Sequence, residues 1–413
     1  MMNITKKSLL MLSLRGATLA SKFILITYLA KYSSFEVLAG YSLISITVSY
    51  FLYILGFDFY SYSSREIISN TYYKSSGMIF NQFFFYIVMY VLSIPLLIVF
   101  FQYNIISSDL LFLFSFVLIS EHLSQEFMRL IVINGHALKA NFQLFLRTAS
   151  WIYLYIAYSY NDSCVSLNNL LIFWASANVV AIAYSLTELK YTKWRGTSFW
   201  RINIPWIWQG VKIAIPLLLA TLMLRAIFVS DRYFLKFMSS TQDLAIYSFF
   251  SNMANALIAF VDAAVIMIFY PKLVNAFNSK DNEKYNSILA QFKVSVFKIG
   301  GGVLILLSAF MPVMCYFLDK KDFMNSIVIF YILISSTFIY SFGLIYHYEL
   351  YARKKDRIIL YSTLVSFVFG VGMQYILGYF FQSTGVACGV LFSTLLLFFM
   401  KAYFVKYVKR VLL

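Results

Sequence analysis

The chain is a succession of apolar runs near the length of about 20 residues that a helix needs to cross a hydrocarbon core roughly 30 Å thick. Twelve spans are predicted: 9–30, 38–60, 79–101, 110–133, 142–160, 168–188, 208–230, 244–270, 295–317, 324–346, 358–380 and 385–406. A transmembrane β-barrel would show alternating segments of about 10 residues instead. The expected fold is therefore an all-α integral membrane protein of about 12 transmembrane helices. No segment between spans is long enough for a separate soluble domain, and the longest gaps, 189–207 and 271–294, are both basic. The first run follows Lys6 and Lys7 as in a signal peptide. It contains Arg15 and Lys22 and lacks a small-residue cleavage site, so it is expected to be a retained first span.

Composition supports this pattern. The 413 residues are 61% hydrophobic and 12% charged, against roughly 45–50% apolar in a soluble domain. The net charge of +16 has the sign for nucleic acid. The basic residues, however, cluster between spans and form no nucleic-acid motif, so they read as topology determinants. With the N-terminus inside, the inner segments carry 23 Lys and Arg, Arg147 and Lys401 among them. The outer segments carry 5: Lys31, Arg232, Lys236, Lys320 and Lys321. This bias predicts both termini on the cytoplasmic side.

The halves echo one another. Residues 33–45, SSFEVLAGYSLIS, and 239–251, SSTQDLAIYSFFS, match at 7 of 13 positions with an offset of 206. Both fall at the entry to the second span of a half. Duplication into two six-span lobes follows, 1–190 and 208–413 joined by a cytoplasmic linker 191–207. The lobes would be related by an axis along the membrane normal, with substrate handled between them.

Besides the residues counted with the inner and outer segments, five cations fall within spans: Arg15, Lys22, Arg129, Lys212 and Arg225. A charge at membrane depth costs about 2.5–3.5 kcal/mol on insertion scales, so it usually faces a cavity or a partner. Arg15, Thr18 and Lys22 share one helical face with no carboxylate on their helix. Arg15 alone suits snorkelling to the inner headgroups, whereas Lys22 is near mid-span. In the fourth span His122, Glu126 and Arg129 share a face, as an intrahelical Glu126–Arg129 pair or as a functional group. Glu121 and Glu126, with Asp262, are the deepest acids and the candidates for proton or sodium coupling. Pro216 in the seventh span is a candidate hinge near Lys212. Arg225 has Asp231 and Asp262 as alternative partners. Asp58 ends the second span as a candidate inner gate or salt-bridge residue. Gly370, Gly372 and Gly378 suit close helix packing.

Absences narrow the chemistry. There is no Gly-rich phosphate loop, no HExxH-type metal set and no nucleophile triad in a loop. Cys164, Cys315 and Cys388 form no CxxC or metal pattern. They suit buried small apolar positions, and a Cys315–Cys388 bridge remains open. No cofactor and no enzymatic activity are expected.

Across nearly its whole length the chain resembles polysaccharide flippases of the multidrug/oligosaccharidyl-lipid/polysaccharide (MOP) exporter superfamily, most closely the Wzx-type O-antigen flippases. The resemblance rests on SSFEVLAGYSLIS, ILGFDFYSYSSREI, EHLSQEFMRLIVINGHALKANFQLFLRTASW, AIPLLLATLMLRAIFVSDRYFL, QDLAIYSFF and IFYPKL, in order over twelve spans. It implies a MATE-like fold of two six-helix lobes around a central cavity. It implies transfer of an undecaprenyl-pyrophosphate-linked oligosaccharide to the periplasmic leaflet of a bacterial inner membrane by alternating access. Arg15, Lys22 and Arg225 match positions of cavity cations in related flippases, and Arg129 is a further candidate. Arg is well shaped for a pyrophosphate. The polymerase and chain-length regulator of the pathway are implied partners. Drug antiporters of the superfamily carry an acid in span one, where this chain has Arg and Lys. Sodium-binding relatives have acids in spans seven and eleven, and here none follows Asp356. Two alternatives are weighed. A small-cation antiporter would be disfavoured, because the unpaired cations repel its substrates. A membrane polymerase or glycosyltransferase would need a longer outer loop.

Overall fold

A computed structural model describes residues 6–69, 72–160, 165–189 and 201–411. The helices run α1 Lys6–Tyr32, α2 Phe35–Gly56, α3 Tyr60–Ser69, α4 Tyr72–Gln102, α5 Leu111–Ile133, α6 Ala137–Phe145, α7 Trp151–Ser159 and α8 Leu167–Leu189. They continue with α9 Ile204–Ile227, α10 Ser230–Met238, α11 Thr241–Val261, α12 Met267–Asn278, α13 Asn282–Leu318, α14 Lys321–Asn325, α15 Ile327–Ala352 and α16 Asp356–Val411. Single π turns, Leu146–Ser150 and Asp262–Ile266, join α6 to α7 and α11 to α12. α16 is two helices broken at Gln382 (φ 48°, ψ −132°). The described residues thus form twelve long helical rods with short α3, α10 and α14 between them. In lipid a helix satisfies its own backbone, which is why each long apolar run becomes one rod.

Boundaries differ from expectation where backbone geometry intervenes. The second span stops at Gly56, because Phe57 and Asp58 both take left-handed conformations (φ 52° and 50°). The seventh stops at Ile227. The basic stretch 271–294 is not a loop. α12 and α13 extend through it and leave only a turn at 279–281, where the Asp281 side chain caps α13 by accepting from the Lys284 amide at 3.0 Å. The basic 190–200 stretch and Cys164 lie outside the described residues.

The sequence echo marks the same device twice. Ser34 (φ −71°, ψ 159°) caps α2, its hydroxyl accepting from the Val37 amide. Ser240 (φ −71°, ψ 158°) caps α11 in the same way from Asp243, whose carboxylate reaches back to complete a capping box.

The chain divides into two compact units, Met1–Leu222 and Met223–Leu413, the division falling inside α9. In the first, α5 packs on α8, α2 and α6, and α1 packs on α6 and the first π turn. The start of α9 joins this unit, Trp206 and Ile207 packing into a cluster of Phe59, Tyr62, Phe85 and Tyr86. In the second, α15 is packed by α11, α13 and α16, and Phe249, Phe250, Phe323 and Phe330 form aromatic contacts at its core. Much of the outer surface is apolar, as along Ile87, Val91 and Leu92 of α4. Such a surface suits a lipid surround.

Within α16, a Cβ at Gly370 would lie 2.2 Å from Ser393 Oγ, and one at Gly378 2.8 Å from Val386. These two glycines permit close packing. Gly372 has nothing within 4 Å of that position and plays no such part. Cys315 and Cys388 are both free thiols.

Candidate functional site

In the first unit the charged groups sort into three environments. On α1, Thr18 is buried and its hydroxyl donates to the Leu14 carbonyl at 2.8 Å. Arg15 is exposed, and its Nε donates to Asn141 Oδ1 on α6 at 2.8 Å. Lys22 is exposed as well, yet makes no hydrogen bond or ion pair among the described residues. It lies in electrostatic reach of Glu121 and Arg147.

The second environment is a clamp on Glu121. Arg147, on the π turn, places Nη1 3.0 Å from Glu121 Oε1. Trp174 Nε1 of α8 donates to Glu121 Oε2 at 2.9 Å. Trp174 in turn stacks on Trp151, with ring centroids 5.6 Å apart and planes 5° from parallel. All four residues are buried. The π turn is what delivers Arg147, since one extra residue in the turn re-aims the side chains around it. Arg147 was expected among the inner topology charges and is instead interior.

The third is a closed network around Glu126, which is 0% exposed. Its Oε2 accepts from Tyr86 Oη at 2.8 Å and Gln82 Nε2 at 3.0 Å, and its Oε1 pairs with Arg129. The Arg129 guanidinium lies 3.5 Å from the centre of the Tyr60 ring. His122 Nε2 is 3.8 Å from Glu126, and its Nδ1 meets Tyr90 Oη at 2.7 Å. The shared face of His122, Glu126 and Arg129 is real, and within the unit its Glu–Arg pair ties α5 to α4 and α3. Asp58 is buried in the turn after α2, hydrogen-bonded to Thr221 and within reach of the Arg129 charge.

In the second unit, Arg225 occupies the last turn of α9, exposed. Asp262 opens the second π turn, also exposed, within electrostatic reach of Arg225. Asp231 belongs to a different group. Both its oxygens lie 3.1 Å from Arg232 Nη1, and Tyr247 Oη donates to it at 2.9 Å. Arg232, expected on the outer surface, is buried by this pairing. Pro216 does not interrupt α9. The rod breaks after Ile227, where Gln374 Nε2 donates to the freed Ile227 carbonyl at 2.9 Å and Ser230 Oγ donates to Gln374 Oε1 at 2.7 Å.

Lys401 is another correction. It is 2% exposed and bonds His347 Nδ1 at 3.2 Å beside a small cavity lined by Tyr340, Gly343, Thr394 and Phe398. Setting Arg147 and Lys401 aside from the inner count and Arg232 from the outer leaves 21 against 4, so the bias survives. Of the interior amides Gln82, Asn141 and Gln374, only Gln374 had a sequence signal, a lone amide in an apolar run.

No family model and no curated protein matches the chain in sequence. Solved structures match its fold. An inward-facing multidrug-resistance MATE family transporter of the MOP superfamily superposes with a TM-score of 0.76 at 14% identity, covering 98% of this chain and 99% of the other. The lipid II flippase MurJ, in an inward closed conformation, gives 0.74 at 14% identity over 97% and 88%. A point mutant of the Vibrio cholerae MATE transporter VcmN gives 0.61 at 13% over 98% and 98%. The chain is an all-helical, multi-span membrane protein that shares the fold of these MATE and MurJ structures over nearly its full length.

Proposed function

We propose that the chain is a flippase for a lipid-linked oligosaccharide bearing a pyrophosphate, of the Wzx O-antigen type, acting in a bacterial inner membrane with both termini cytoplasmic. The observation that carries this reading is Lys22, an exposed cation within a membrane-spanning rod and without an ion-pair partner among the described residues. Such a charge is retained at a cost of several kcal/mol unless something negative visits it. Arg15, two turns below and held by Asn141, adds a forked donor on the same helix. Arg225 supplies the corresponding cation of the second unit, and Arg129, bound into the Glu126 network, is assigned a structural part.

A MATE-like antiporter is the competing reading, supported by the fold match to the multidrug transporter. An uncompensated ammonium disfavours the cationic drugs such a transporter would carry. For ion coupling, Asp262 is the retained candidate among Asp58, Glu121, Glu126 and Asp262. It is exposed and its carboxylate accepts no hydrogen bond among the described residues, whereas the carboxylates of the two glutamates are fully engaged. Loss of proton- or sodium-gradient dependence in Asp262→Asn is the expected result.

The test is translocation of a pyrophosphate-linked oligosaccharide polyprenol in proteoliposomes. Wild type is expected to flip it and Arg15→Ala/Lys22→Ala to lose flipping. Equal rates in the two would remove the cationic site from the mechanism, and flipping of organic cations alone would favour the antiporter.

A further inference from the structure

The Glu121 clamp has a consequence for Lys22. α1, which carries Lys22, packs against the π turn that carries Arg147, and Glu121 and Arg147 are the charges within electrostatic reach of Lys22. The carboxylate is nonetheless committed elsewhere, one oxygen to Arg147 at 3.0 Å and the other to Trp174 at 2.9 Å. Two cations and one anion share this part of the first unit, and the pairing leaves the positive remainder on Lys22. A buried carboxylate deprived of its cation is strongly destabilised. With Arg147 absent, Lys22 would be the cation able to compensate it, and the local charge would fall to zero.

We infer that Arg147 is a positioning residue for anion binding: by holding Glu121 it keeps Lys22 available to the anionic headgroup of the substrate. This rests on the proposed reading of Lys22 as the substrate's cation. Arg suits the role better than Lys because its fork satisfies a carboxylate in a fixed geometry. The π turn fixes the direction of approach, and the Trp151–Trp174 stack fixes the indole that takes the second oxygen.

The role predicts signs that a merely structural tie does not. The measurement is binding of farnesyl pyrophosphate to the purified full-length chain in detergent, with folding checked by size exclusion and tryptophan fluorescence. Lys22→Gln should weaken binding roughly tenfold or more, the scale of one charge contact near a protein surface. Arg147→Gln should weaken it about as much, although Arg147 does not touch the ligand. Glu121→Gln/Arg147→Gln should restore affinity to within about threefold of wild type, because the neutral pair no longer competes for Lys22. Glu121→Gln alone should bind more tightly than wild type, since it leaves two cations and no acid beside them.

If Lys22→Gln loses binding but the double variant is no better than Arg147→Gln, or Arg147→Gln binds as wild type, the positioning role is overturned and the cationic site stands. If wild type does not bind, or Lys22→Gln binds equally, the proposed site falls and this inference with it. Should Arg147→Gln fail to fold, Glu121→Gln decides: binding tighter than wild type supports the role, and equal or weaker binding overturns it.

Discussion

The Glu126 network gives a stability prediction that can be worked from its geometry. Arg129→Met removes the cation paired with a carboxylate that is fully buried. Gln82 and Tyr86 remain as donors, so Glu126 keeps hydrogen bonds but loses its counter-charge. Breaking a buried pair from one side costs about 3–5 kcal/mol. Arg129 is 22% exposed, which places this pair toward the lower end. The first unit spans 222 residues, a size at which 1 kcal/mol shifts the melting temperature by about 2–4 °C. Arg129→Met should therefore melt roughly 6–12 °C below wild type in detergent. Glu126→Gln keeps an acceptor for Tyr86 and leaves a half-wet guanidinium over Tyr60, for a cost of about 1–3 kcal/mol. The double variant Glu126→Gln/Arg129→Met should recover about 2 kcal/mol relative to the sum of the singles. The assay is the apparent melting temperature at fixed scan rate, since a protein of this kind unfolds irreversibly. Arg129→Met within about 2 °C of wild type, or a double variant at the additive sum, would refute the account of Glu126 as an anion held by Arg129.

Three further outcomes are expected. A Cβ at Gly385 would lie 1.9 Å from the Leu377 carbonyl oxygen, a backbone atom that cannot move aside, so Gly385→Ala should cost more than about 3 kcal/mol and cut the yield of folded protein; normal yield and melting would sink this. Ser34→Ala and Ser240→Ala should each cost about 1 kcal/mol through loss of the N-cap, with Ser240→Ala the larger because its capping box is reciprocal; unchanged melting in both would remove the caps as the reason for the echo. Replacing the buried Lys401–His347 pair by Lys401→Met/His347→Phe should leave the melting temperature equal or higher, since apolar packing often matches a buried polar pair; a fall of more than about 6 °C would mean the pair stabilises the second unit.

The twelve rods were legible because each is a local property. A run of apolar residues at membrane depth must satisfy its backbone within itself, so length and hydropathy decide it. The echo was read as duplication alone, although it contains the serines that cap α2 and α11, a cap being written within four residues of sequence. The Glu126–Arg129 pair was also readable, because three residues apart is one face of one helix. Rod ends were less so: nothing in Phe57 or Asp58 announces a left-handed backbone, and nothing in 271–294 announces that helices continue beyond the apolar runs.

Charge pairing between rods was decided only by the tertiary structure. Arg147 and Lys401 read as topology charges, yet the first faces Glu121 and the second His347. Asp231 was a candidate for Arg225 and belongs to Arg232 and Tyr247. Which side chains meet across two helices depends on the rotation and axial register of each rod. A π turn changes both by one residue, and a hydrophobic pattern does not encode it. The sequence by itself determined that positive charge lies within the membrane-spanning rods. Only the packing of α1, α5, the first π turn and α8 decided that Arg15 is held by Asn141 and Glu121 by Arg147, while Lys22 makes neither a hydrogen bond nor an ion pair among the described residues.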